Sequence, residues 1–286
     1  MSYESNLSQE HALNTARRLS VLLLGLMALQ GLVGLAFRGE YRDVDWITTT
    51  WFGNDGVTLL LACPLLAGAL LASARGSLRG LLVWLGLLGY ALYNYAFYLF
   101  GASLNAFFPL YLVLFVLAGI TLILALAALP IDRVVSGFRE RTPVRIIGFG
   151  YAGIAVLLSL VWLGLWAAYV FAGRPLPVEL AAFQVVAVLD LALMVPALLG
   201  GGLLLWRRRR WGFVVAAIAG VQGTLYLVVL SVNSLLLIRA GLAEAPGELP
   251  IWGGLFLVTL ALTWALLAGA ESEPRVDGGR TSPSGY

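Results

Sequence analysis

The chain has 286 residues, of which 60% are hydrophobic and only 12% charged, with a mean hydropathy of +0.91. That balance excludes a soluble domain, which needs far more polar surface. The net charge of +3 comes from arginine alone, since lysine is absent, and no aromatic-interleaved basic patch points to nucleic acid. Apolar runs of helical membrane length follow one another, and the alternating ten-residue strands of a membrane barrel are missing. The class expected is an all-α, polytopic integral membrane protein whose first partner is the lipid bilayer.

Residues 1–16 are polar and read as a short cytoplasmic segment. Arg17 and Arg18 precede a first apolar helix, 19–37, too long for a signal-peptide core and followed by no cleavage site. Residues 38–56 read as a polar, aromatic loop, and a second helix is expected over 57–73, ending at Arg75 and Arg79. The third runs 81–100 and the fourth 109–129. The arginine-rich stretch 131–145 leads to a fifth helix over 146–171. The sixth, from Glu179 to Trp211, carries Asp190, Pro196 and the run Arg207 to Arg210. The seventh spans 212–238 and the eighth 251–270. The tail 271–286 is rich in Gly, Pro, Ser and charge, and is expected to be disordered.

Arginines gather on alternate turns, so the excess-positive side fixes an orientation with both termini in the cytoplasm of an inner (plasma) membrane. A shift of 132 positions lays Pro64, Gly68, Arg75 and Gly80 on Pro196, Gly200, Arg207 and Gly212. This spacing suggests two parallel four-helix repeats, 17–130 and 145–270, within an eight-helix domain of residues 17–270. Leucine and glycine matches arise easily in membrane sequence, so chance competes with duplication. A cavity is expected at the seam between the halves.

Asp190 reads as the one ionisable group near the centre of a span, where a carboxylate costs roughly 2.5–3.5 kcal/mol on insertion scales. It is either a proton or cation site or an acid hydrogen-bonded to Gln222 or Gln184. Tyr90, Asn94 and Tyr98 share one face of the third helix and, with Asn105, Trp51, Asn54 and Asp55, could line an outward vestibule; the favoured account of most of the rings is an interfacial aromatic belt, with Asn94 the exception. Gln30 and Asn233 are weaker polar points.

The single histidine, His11, precedes the first helix, and the single cysteine, Cys63, is inside an apolar run. Imidazole metal sites, haem ligation, histidine-dependent catalysis, disulfides and a retinal Schiff base are therefore excluded, and no cofactor is expected. The remaining enzyme reading is a metal-dependent glycosyltransferase-like protein using Asp43 and Asp45 in the first outer loop. The principal expectation is a transporter or permease-like protein that handles a small solute, ion or lipid. Asp190 would be its coupling acid, Asn94, Gln184 and Gln222 its hydrogen-bonding groups, and Asp55 would stand at the outer mouth. The alternative is a non-transporting subunit or scaffold, as a homo-oligomer or with a partner. An open cavity at Asp190 favours the first, a sealed contact the second.

Overall fold

The computed structural model describes residues 3–271, with side chains from Gln9 onward. The expected tail, 272–286, is outside the described residues. Eight helices are long and apolar enough to cross a membrane: α1 (Tyr3–Ala36), α2 (Asp45–Ala74), α3 (Leu78–Gly101), α4 (Phe108–Ala127), α5 (Val144–Ala172), α6 (Leu180–Trp206), α7 (Arg210–Arg239) and α8 (Leu249–Gly269). Helices meet the requirement that every backbone N–H and C=O in hydrocarbon be satisfied within the segment. A short helix, Ile131–Ser136, interrupts the connection between α4 and α5.

Two boundaries differ from the sequence reading. The polar residues 3–16 continue α1 rather than preceding it. Residues 45–56, expected as loop, form the opening turns of α2, with extended Val44 as the N-cap. Asp45 in the first turn complements the positive end of the helix dipole, and Thr48, Thr49 and Thr50 direct their hydroxyls back to carbonyls three to five residues earlier. Polarity had mimicked a loop because these side chains are satisfied by their own helix and its neighbours.

α2 and α6 are each broken by one wide turn with π-type hydrogen bonding, Thr58–Ala62 and Asp190–Met194. The cause is in the sequence: Pro64 and Pro196 follow directly, cannot donate a backbone hydrogen bond, and crowd the preceding turn. Both helices also end alike. Gly76 (φ +83°) follows α2, with Gly76 N bonding Ser73 O and Ser77 N bonding Ala72 O, each at 3.0 Å. Arg208 (φ +51°) follows α6, with Arg208 N bonding Leu205 O at 2.9 Å and Arg209 N bonding Leu204 O at 2.8 Å. These are paired left-handed terminations of the Schellman type.

In the packing, α1 contacts α2 and α4, and α3 contacts α2 and α4; likewise α5 contacts α6 and α8, and α7 contacts α6 and α8. The two groups of four meet through α3 against α7, α2 against α7 and α3 against α6. α3 and α7 are the most buried helices, whereas few residues of α5 are fully buried. At the α3–α7 crossing, Gly86 and Gly89 leave no room for a Cβ beside Val221 and Gln222. Small residues let the helix axes approach closely.

Candidate functional site

Asp190 occupies the first position of the wide turn in α6, ten residues and about 15 Å along that helix from Leu180. Its carboxylate is 2% exposed. Tyr93 of α3 donates its hydroxyl to Oδ1 at 2.6 Å, and Trp162 of α5 donates Nε1–H to Oδ2 at 2.8 Å. The partners are thus not the amides expected. Gln184 is exposed on α6, away from the acid, and Gln222 abuts Gly89 of α3 instead. An aromatic hydroxyl and an indole supply the donors, groups that depth along the sequence does not single out from the many other rings. Tyr226 of α7 closes the site behind Tyr93, with the two rings in edge contact at 5.0 Å.

Asp190 is not alone. Asp55, expected at the outer mouth, is fully buried within α2, also ten residues from the helix start. Three donors surround it: Gln30 Nε2 at 2.8 Å to Oδ1, Tyr98 hydroxyl at 2.7 Å to Oδ1, and Tyr41 hydroxyl at 2.6 Å to Oδ2. Tyr95 supports Gln30 by donating to its Oε1 at 3.3 Å. Gly34 of α1 makes the approach feasible, because a Cβ there would overlap Asp55 Oδ2 and the Tyr41 hydroxyl. Tyr41 comes from the 37–44 connection, outside the spans, and its own burial, followed by the neighbouring Asp55 carboxylate, pushes its phenol up from the ordinary value. It remains a neutral donor.

The aromatic residues of α3 do not line a vestibule. Tyr90, Tyr95 and Tyr98 are buried, and Trp51, Tyr98 and Tyr111 stack in succession at 4.6 and 4.9 Å. The rings form an inner wall around Asp55 rather than a belt at the lipid surface. Tyr90 pairs with Thr58 across 3.0 Å, one layer away from Asp55. Among the described residues, the buried Asn94 leaves its Nδ2 without a partner, whereas the Tyr111 hydroxyl is beside Tyr41 and Asn105. Asn233 of α7 donates to Asn54 Oδ1 at 3.0 Å, fastening α7 to α2. The structure therefore gathers Asp55 and Tyr98, places Asp190 in a separate site, and leaves Gln184, Gln222, Tyr90 and Asn94 outside both carboxylate shells. Sequence reasoning missed Tyr41, Tyr95 and Trp162 in these roles.

Asp43 is committed elsewhere. It accepts from Trp51 Nε1 at 2.9 Å and from the Ser103 N–H and hydroxyl at 3.0 and 2.7 Å, tying the first connection to the end of α3. Among the described residues, no group of three or more His, Cys, Asp or Glu is placed to hold a metal ion. A cavity of about 750 Å³ opens between the start of α2, the 173–179 connection and the end of α7, with Asp45, Glu179, Glu244 and Glu248 in its wall. Neither Asp55 nor Asp190 lines it. Each buried carboxylate is held by neutral donors, and among the described residues no cationic side chain bonds either one.

No protein-family model, curated protein or solved structure matches the chain.

Proposed function

We propose that this multi-pass membrane protein is a permease-like carrier of a small solute, ion or lipid, built as two parallel four-helix halves. Its proposed setting is a bacterial-type inner membrane, with the arginine-rich face and both termini on the cytoplasmic side. The duplication is supported by features that keep one offset of 132 residues. The wide turns begin at Thr58 and Asp190, the prolines are Pro64 and Pro196, and the left-handed terminations fall at Gly76 and Arg208. The same offset relates Gln30 to Trp162, and each donates a nitrogen-bound hydrogen to the acid of the following helix.

The observation that carries the permease reading is this pair of buried carboxylates, one per half, each beside a proline-broken turn. Intramembrane acids are rare, expensive to bury and commonly mark ion or substrate pathways. Half-helices that meet at a break can rock against each other, so α2 and α6 supply the hinges by which a closed site would open. A specific observation favours a second reading. The sealed contact of Asp190 with Tyr93 and Trp162 is the arrangement expected of a non-transporting subunit in which polar groups fasten helices, and the carrier reading requires that this contact open.

The discriminating experiment is a thermal-shift screen of small cations, amines, metabolites and lipids, followed by uptake of any hit into proteoliposomes. The carrier reading expects ligand stabilisation that Asp190→Asn and Asp55→Asn weaken, together with lost uptake. Variants that melt lower but keep every ligand response would instead leave the scaffold.

A further inference from the structure

Hydrogen-bond direction decides what happens at each acid if a proton arrives. An ionised carboxylate only accepts, whereas a protonated one must also donate. At Asp190, the Trp162 indole is a donor that cannot accept, and it holds Oδ2. The Tyr93 hydroxyl donates to Asp190 Oδ1 and is also within hydrogen-bonding reach of Tyr226 of α7. Protonating Asp190 would leave Tyr93 only that second phenol to turn to.

At Asp55 the second acceptor is a backbone carbonyl, fixed in place by its helix. The Tyr98 hydroxyl is 2.7 Å from Asp55 Oδ1 and 3.4 Å from the backbone carbonyl oxygen of Trp51. If Oδ1 takes a proton, Tyr98 turns its hydrogen to Trp51 O, and its oxygen accepts the new acid hydrogen. One proton is added, no other bond breaks, and every hydrogen in the pair keeps an acceptor. The Tyr111 hydroxyl, buried beside Tyr41 and Asn105 and stacked through its ring on Tyr98, belongs to the same cluster. Tyr41 connects the carboxylate to the 37–44 connection and hence to the membrane surface.

We infer that Asp55 is a reversible proton-binding site of this protein, with Tyr98 as the two-way hydroxyl that accommodates both states. The titratable groups facing Asp55 are the phenols Tyr41, Tyr95, Tyr98 and Tyr111, with Tyr90 and Cys63 a layer further in. None of these carries a positive charge that would pin the carboxylate in its ionised form. The inference deepens the carrier reading and draws its purpose from it, but its test uses no solute.

The test is acid-minus-base infrared difference spectroscopy on the full chain in liposomes. The expected spectrum contains the carbonyl stretch of a buried carboxylic acid, at the high-wavenumber side of the exposed acids. That band is lost in Asp55→Asn, kept in Asp190→Asn, and displaced to higher wavenumber in Tyr98→Phe, where the acid hydrogen has no acceptor. Asp55→Glu, which keeps the acid and changes the band position, serves if Asp55→Asn does not fold. A wild type without the band, loss of the band in Asp190→Asn, or an unmoved band in Tyr98→Phe overturns the assignment. Failure to find any transported solute bears on the carrier reading alone.

Discussion

Tyr93 and Tyr98, five residues apart on α3, donate to carboxylates in different groups of four helices: Tyr93 to Asp190 of α6 and Tyr98 to Asp55 of α2. Five residues of α-helix turn the direction of a side chain by about 140° and advance it about 7.5 Å. One helix can therefore present a hydroxyl to each neighbour without strain. α3 is consequently the element through which a change at either acid would reach the other.

Removal of one donor from Asp190 is expected to destabilise the fold. Tyr93→Phe leaves Oδ1 buried and unmatched, a loss of about 1–3 kcal/mol. Trp162→Phe should act similarly on Oδ2. Because both act through one carboxylate, the double variant should depart from the sum of the singles in thermal denaturation. Strict additivity would mean that the two donors do not share an acid.

Gly34→Ala should loosen the Asp55 site. Its Cβ would overlap Asp55 Oδ2 and the Tyr41 hydroxyl, and forced overpacking costs about 1–3 kcal/mol. Gly25→Ala, on the same helix with open space around its Cβ position, is the control and should be neutral or slightly stabilising. Equal melting temperatures for the two variants would deny the close approach.

Arg208→Gly should stabilise. Arg208 holds a left-handed conformation, φ +51°, at the position where the corresponding termination of α2 has Gly76. Relieving that conformation in an L-residue is worth about 1–2 kcal/mol, and the backbone hydrogen bonds at the helix end do not need the side chain. A lower melting temperature would instead assign the Arg208 side chain a contact that holds the helix end.

Much of this architecture was legible in the sequence because its causes are local. Membrane-length apolar runs define the eight spans, and the prolines at 64 and 196 foretell where α2 and α6 break. Local polarity also misled: residues 45–56 looked like a loop although their hydroxyls, amides and acids are absorbed within and between helices. Composition established a membrane protein with few charges to explain. Only the tertiary structure decided which groups explain them, because hydrogen-bond partners are set by the rotation and depth of neighbouring helices. Gln30, Tyr41 and Tyr98 converge on Asp55 from three separate segments, and no spacing along a single segment records that meeting.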